Sequence, residues 1–122
     1  MIEYDHLEEQ AFSAENPQLV QRRATSNIIA QLTRHFATNR ATGRHENETL
    51  SGIVFRGFRQ PDASHSEVDD IETWSTVLLD GALRVVRREA PTPESMTMHF
   101  VRQGGSWVLD NTEFYENGSA PF

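Results

Sequence analysis

The sequence predicts an α+β fold in which one long N-terminal helix packs on a curved antiparallel sheet of about five strands. Apolar residues recur at helical spacing over residues 17–38, whereas the later part of the chain is rich in β-branched and aromatic residues. Two glycine-containing turns, Asp80-Gly81 and Gly104-Gly105, divide that later part into hairpins. At 122 residues, the chain is long enough for a single domain with one core.

The N-terminal part predicts where the helix begins. Residues 1–15 hold five acidic side chains and no arginine, so we expect a short helix N-capped by Asp5 or a loose acidic start. Asn16-Pro17 is typical of a helix start, because Asn caps the first turn and Pro fits the first helical position. One helix of about 22 residues should follow over 17–38. Its buried stripe is expected to comprise Val20, Ala24, Ile28, Leu32 and Phe36.

The strands are expected to form a meander over residues 50–58, 71–79, 83–88, 94–103 and 106–116. Asp80-Gly81 is predicted to be a tight turn that places Leu78 opposite Leu83. Residues 90–93 contain two prolines and predict a stiff connection, because proline has no N–H for a central ladder. Residues 117–122 are expected to be a disordered tail.

The last hairpin fixes a register if Gly104-Gly105 are its two central residues. Phe100 then faces Leu109, and His99 faces Asp110 on the other side of the sheet. The more apolar side should cover the core, and it carries Met96, Met98, Phe100, Arg102, Trp107, Leu109 and Asn111.

Composition excludes several kinds of chemistry. The chain has no cysteine and no lysine, which excludes disulfides, thiolate sites and lysine Schiff bases. The net charge of −7 argues against binding to nucleic acid or an anionic membrane. The histidines lack metal-ligand spacing, so we expect no metal and no cofactor. We infer a cytoplasmic protein, since neither a signal peptide nor a membrane span is visible.

The stretch HFVRQGGSWVLDNTEFY, residues 99–115, resembles the C-terminal hairpin of the NTF2-like superfamily, which includes SnoaL-like and cystatin-like proteins. A strand ending in Phe and Arg is followed by a glycine turn, Trp and apolar alternation. The resemblance implies a cone-like sheet over helices, a frequent cavity, and frequent dimerisation through the outer sheet face. Members include isomerases, dehydratases, cyclases and noncatalytic binding modules, so fold does not define function.

Two groups of titratable residues are candidates for chemistry. His99 and Asp110, directly opposed, could form an acid–base dyad, although a structural cross-strand or interface role is the preferred alternative. An acidic run invites comparison with a Ca²⁺ or Mg²⁺ site, but it lacks the spaced ligands and turn glycine of an EF-hand. We expect that run to be a solvated strand entry; it comprises Glu67, Asp69, Asp70 and Glu72.

A ligand site is predicted at one rim of the sheet. Aromatic and methionine side chains with a few arginine forks would suit an apolar acidic molecule, the alternative being ordinary core packing with arginines that reach solvent. Arg102 is expected to lie across the Trp107 ring. The candidate ligand-binding residues are Trp74, Arg87, Met98, Phe100, Arg102 and Trp107.

Three functions remain open. The first is a noncatalytic domain that binds a small molecule or dimerises, and the second is a SnoaL-like enzyme that uses acid–base chemistry in its cavity. The third is an interaction module that assembles through the sheet face carrying Val101, Val108 and Phe114, and we expect a homodimer through that face. The enzyme ranks second because only one titratable pair is visible; a cavity lined by two or more acids or histidines would reverse that order.

Overall fold

The computed structural model describes residues 2–116 and 118–122. Helix α1 (Ile2–Ala14) is followed by one 3₁₀ turn (Pro17–Val20) and by helix α2 (Ser26–Ala41). Four strands then form one antiparallel sheet in the order β1-β2-β3-β4. They are β1 (His45–Asp62), β2 (His65–Leu79), β3 (Val85–Gln103) and β4 (Ser106–Tyr115).

The expected single long helix is wrong. Asn16 does cap a helical start at Pro17, and its side chain accepts a hydrogen bond from the backbone N–H of Gln18, but only one 3₁₀ turn follows. The chain then runs beside β4, where Ala24 forms a parallel bridge with Leu109. Because these residues hydrogen-bond to a strand, they cannot continue a helix, and α2 begins only afterwards.

The expected five strands are also wrong, because β3 is continuous through the prolines that were predicted to interrupt it. Pro91 falls at a register shift between β2 and β3, and Pro93 pairs with Thr73. Strand β4 pairs with β3 only from Ser95 onward, so β3 is an edge strand in this half. Proline is tolerated at edges and bulges, where a missing N–H breaks no ladder.

The register predicted for the Asp80-Gly81 turn is wrong as well. Leu78 faces Arg87 rather than Leu83, and the connection spans residues 80–84. The Asp80 carboxylate accepts hydrogen bonds from the N–H groups of Ala82 and Arg84, at 2.9 and 3.0 Å, which closes a longer loop.

The last hairpin keeps its predicted register from the Gly104-Gly105 turn to the pair of Phe100 with Leu109. Both glycines have positive φ, as this turn requires. Beyond Phe100 a bulge shifts the pairing, so that His99 faces Asn111. Asp110 is the extra residue of this bulge. Every β4 residue after it therefore lies on the face opposite to the one predicted from the turn.

The core lies between the two helices and one face of the sheet, which we call the covered face. Phe12 of α1 meets Phe36 of α2 edge-on, with ring centroids 5.0 Å apart. The covered face contributes Met96, Met98, Phe100 and Leu109 to this cluster. The opposite side of the sheet is called the outer face. No helix in the described part of the chain is long and apolar enough to cross a membrane.

Candidate functional site

The bulge separates the two residues expected to form an acid–base dyad. The Nε2 atom of His99 lies 2.5 Å from Oε1 of Glu113. The Asp110 carboxylate accepts a hydrogen bond from the Thr25 hydroxyl at 2.8 Å, which ties it to the start of α2. The expected direct opposition of His99 and Asp110 is therefore wrong, and a catalytic role for either residue stays a prediction without that contact.

The six predicted ligand-binding residues do not form one rim. Met98 and Phe100 are buried in the core, and Trp107 packs against it. Arg102 lies over the Trp107 ring, 5.0 Å from its centroid, as the sequence predicted. Trp74 and Arg87 instead pair with residues near the opposite end of the β2–β3 ladder.

The surface predicted for a homodimer is also divided. Val101 and Val108 face each other across the hairpin, but Val108 is buried within this chain. Phe114 pairs with Met96, so it lies on the covered face rather than with the two valines, and it is 66 % exposed. The homodimer itself stays a prediction.

The acidic run in β2 divides between the two faces of the sheet, and the expectation of a solvated strand entry is wrong. On the outer face, the Arg59 guanidinium binds Asp69 and holds the pKa of that carboxyl below its usual range. Asp70 and Glu72 point to the covered face, where they are only 0 % and 2 % exposed. Asp69 is also buried, so three of the four carboxyls that were expected to be solvated are not, and alternation places two of these three on the covered face.

Acids on the neighbouring strands face the same way. Glu94 of β3 pairs with Glu72, and the next rows of the ladder place Glu48 and Glu89 on either side of Thr76. Residues directly opposite each other in an antiparallel sheet point to the same face. The covered face therefore carries a band of carboxyls beyond its apolar part.

Helix α1 adds two more carboxyls from above the sheet. Asp5 was predicted to cap a helix, but it lies inside α1 and is 1 % exposed. Glu8, one turn later on the same side, accepts a hydrogen bond from the Tyr4 hydroxyl at 3.1 Å. We call the whole group the acidic trough; it comprises Asp5, Glu8, Glu46, Glu48, Asp70, Glu72, Glu89 and Glu94.

Glu72 lies at the electrostatic centre of the acidic trough. Burial is the largest cause of raised pKa values there, and it raises the pKa of Asp70 to about 9, that of Asp5 to about 8 and that of Glu8 to about 7. A side-chain hydrogen bond with Glu72 and then its charge raise the pKa of Asp70 further, and the charge of Glu72 also raises the pKa values of Asp5, Glu8 and Glu94. Several of these carboxyls therefore hold protons at neutral pH.

The buried carboxyls have oxygens with no partner. Neither oxygen of Asp5 or Asp70 accepts a hydrogen bond within the described residues, and the same holds for Oε2 of Glu72. Its other oxygen accepts one from the Trp74 indole at 2.8 Å. Ionised carboxylates are acceptors only, so neighbouring acids can bond to each other only after one takes up a proton. Otherwise the oxygens need a donor from outside the chain.

The trough opens into a cleft of about 590 Å³ at the end of the sheet near the start of β1. Glu46, Glu48, Glu89 and Glu94 line this cleft. A smaller adjoining hollow of about 280 Å³ brings the Trp74 ring beside Glu48 and Glu94. Burial, followed by the charges of Glu8 and Glu46, raises the pKa of Glu48 to about 8.

The spacing of the acids in the sequence indicates this site, but it can be interpreted only when the strand register is known. Glu46 and Glu48 of β1, and Asp70 and Glu72 of β2, are pairs spaced by two residues, and each pair points to one face. Which face is set by bulges between Leu50 and Gly52 and between Phe55 and Gly57. Within the described chain no three His, Asp or Glu side chains converge as metal ligands would.

Comparison with known proteins identifies a similar fold. No family model matches the chain, and no curated protein sequence matches it. Among solved structures, the intermembrane space region of the chloroplast protein ARC6 matches with a TM-score of 0.74 at 11% identity. The match covers 91% of this chain and 87% of that one, so the two share an arrangement of helices and strands. At this identity the likeness concerns the fold alone.

Proposed function

We propose that the domain binds a small organic cation, such as an amine or a guanidinium compound, in the acidic trough. The observation that supports this proposal is the cleft whose wall carries four glutamates, Glu46, Glu48, Glu89 and Glu94. A cation in this cleft would supply N–H donors and a positive charge to those carboxyls, and such charge-assisted hydrogen bonds are among the strong ones.

The lining of the cleft favours the same class of ligand. Four glutamates would repel a carboxylate, so an acidic ligand fits less well than the sequence suggested. Trp74 lines the adjoining hollow together with three of them, and an indole ring attracts a cation in a desolvated site. Arg87 is already paired with Glu89 at 2.7 Å, so its guanidinium is not free to pair with another carboxyl of the cleft.

A titration with three probes of matched length tests the proposal: pentylamine, 1-pentanol and pentanoate. We expect pentylamine to quench the fluorescence of Trp74 at millimolar concentration, 1-pentanol to bind more weakly, and pentanoate not to bind. Glu48→Gln should weaken pentylamine binding, since it removes a carboxyl from the cleft wall. Glu116→Gln makes the same side-chain replacement at an exposed site outside the trough and should have no effect.

The chain has two tryptophans, so the fluorescence of Trp107 must be separated from that of Trp74. The variant Trp107→Phe does this and leaves Trp74 as the reporter. The proposal is wrong if pentanoate or 1-pentanol binds as tightly as pentylamine. It is equally wrong if neither pentylamine nor pentylguanidine binds at millimolar concentration, or if Glu116→Gln weakens binding as much as Glu48→Gln does.

Proton transfer to the bound ligand is the second candidate function. The cleft is lined by four glutamates, which meets the condition under which the enzyme was expected to rank above a noncatalytic domain. A carboxyl whose pKa is about 8, as for Glu48, suits a general acid or base at neutral pH, and Glu46 lies beside it. Binding is proposed first because both hypotheses require it, whereas catalysis also requires a reacting atom within reach of Glu48.

Solvent exchange would detect such proton transfer without knowledge of the natural reaction. Any compound that binds is incubated with the protein in D₂O, and its C–H signals are followed by proton NMR. Loss of a C–H signal that depends on Glu48, and is absent in Glu48→Gln, would support the enzyme. Unchanged spectra for every compound that binds would leave the noncatalytic binding domain.

A further inference from the structure

We infer that the ligand is a zwitterion, with its cationic group in the acidic trough and a carboxylate held by Arg44 at the mouth of the cleft. This inference rests on the proposed function and narrows it to amino acids with a basic side chain and compounds of similar charge pattern. Arg44 lines the same cleft as Glu46, Glu48, Glu89 and Glu94, so one cavity carries opposite charges on its wall.

The position of Arg44 is well defined although its side chain is exposed. Its backbone N–H donates to the Asn39 carbonyl at 2.8 Å, which fixes the residue just after the end of α2. Gly43, which precedes it, has a φ of 68°, a value that suits glycine at a helix C-terminus. The chain therefore leaves α2 and enters β1 by one defined path, with Arg44 at the mouth.

The guanidinium of Arg44 differs from the other cation at the cleft. Arg87 forms an ion pair with Glu89, whereas the Arg44 side chain makes no hydrogen bond or ion pair within the described residues. A guanidinium fork matches a carboxylate with two parallel hydrogen bonds.

Spacing along the strand keeps the two charges apart. Arg44 lies just before β1 and lines the same cleft as Glu46 and Glu48, so the Cα atoms of Arg44 and Glu48 are at most about 13 Å apart at ~3.3 Å per residue. Long side chains shorten the gap between the charged groups. An extended chain with a carboxylate at one end and an amine or guanidinium at the other can span it.

Comparing lysine with cadaverine isolates the contribution of the carboxylate to binding, because cadaverine is lysine without that group. Cadaverine carries two positive charges and lysine only one net charge, so an acidic cleft acting by charge alone would prefer cadaverine. We expect calorimetric titration to show lysine bound roughly tenfold more tightly, the effect of a charge-assisted hydrogen-bond pair. Arginine and agmatine provide an independent pair with the same difference.

Arg44→Ala should weaken lysine binding roughly tenfold and leave cadaverine unchanged, and Arg44→Glu should reverse the preference. Arg40→Ala is the matched control, since Arg40 lines only a neighbouring hollow. If wild type binds cadaverine as tightly as lysine, or Arg44→Ala leaves lysine binding unchanged, the zwitterion inference is wrong and cation binding stands. If neither compound binds, both the inference and the proposed function are wrong.

Discussion

Replacing Asp70 with asparagine should stabilise the protein at neutral pH, although aspartate-to-asparagine changes at buried sites commonly destabilise. Asp70 is fully buried beside Glu72 on the same face of β2, and neither of its oxygens accepts a hydrogen bond from the described residues. Its folded pKa of about 9 lies far above the ordinary 3.8, so the folded protein keeps a proton that the unfolded chain releases. Asparagine has the same shape, carries its own N–H donors and needs no proton.

The expected gain in stability is set by the free energy needed to keep Asp70 protonated in the folded protein. At pH 7.5, keeping a proton on a group whose ordinary pKa is 3.8 costs about 5 kcal/mol, from ~1.36 kcal/mol for each of ~3.7 pH units. This is an upper limit, because the second N–H of the introduced amide must also find an acceptor. The raised pKa gives stability that is present below 3.8 and lost as pH rises through about 9. The gain from Asp70→Asn should therefore shrink by up to about 1.4 kcal/mol for each pH unit of acidification.

Urea denaturation at pH 5, 6, 7 and 8 measures this dependence. Asp69→Asn is the matched control one residue away, on the outer face. Arg59 lowers the pKa of Asp69, so its stabilising contribution is present at neutral pH and is lost as pH falls. Asp69→Asn should destabilise by about 1–3 kcal/mol at pH 7. If Asp70→Asn destabilises at pH 8, or its effect does not vary with pH, Asp70 is not a buried protonated acid and the description of the trough is wrong.

Four further outcomes are expected. Affinity for pentylamine should rise with pH by up to about tenfold per unit between pH 6 and 8, because a cation favours ionised Glu48, whose pKa is about 8. An affinity from fluorescence titration that does not change with pH would contradict this. Phe36→Ala should lower the free energy of unfolding by about 3–5 kcal/mol in urea titrations, and a loss below about 1 kcal/mol would place Phe36 outside the core. Thr25→Val should cost about 1 kcal/mol and speed amide exchange in the first turn of α2, since it removes the hydroxyl bond to Asp110; unchanged exchange would show that this bond does not hold the helix start. Sedimentation at tens of micromolar should show a dimer, twice the 13.9 kDa of one chain, and a monomer at that concentration would exclude the homodimer.

Local signals in the sequence identified parts of the fold whose causes are also local. The Gly104-Gly105 turn has the positive φ angles that its residues predicted, and Arg102 does stack on Trp107. The helix stripe was correct for Ile28, Leu32 and Phe36, which are buried in α2. These features depend on neighbours in sequence or across one tight turn.

The errors came from interactions between distant parts of the chain. The predicted helix breaks because Ala24 bridges to Leu109, a partner far along the sequence. The bulge at Asp110 lies next to this bridge. There the Thr25 hydroxyl donates to the Asp110 carboxylate, and the Asn27 side-chain amide donates to the Asp110 carbonyl. Periodicity cannot reveal such partners, because it records only which side of an element is apolar.

The acidic trough was missed for a related reason. Acidic residues in a strand are usually solvated, and nothing within the run from Glu67 to Glu72 distinguishes the buried acids from the exposed ones. The distinction requires the face that α1 covers and the register that brings Glu94 opposite Glu72. Carboxyls spaced by two residues on successive strands become informative only once that register is known.

The free edge of β3 has a consequence for how the domain behaves in a crowded solution. Between Val85 and Glu94, no described residue pairs with this strand on the edge away from β2, and its exposed Val85 and Val86 could attract a strand from another molecule. Such pairing leads to edge-to-edge aggregation. Pro91 and Pro93 offer no N–H to an incoming strand, and the register shift at Pro91 distorts the edge. The mouth of the cleft can thus stay open beside an unpaired strand without that strand seeding a larger sheet.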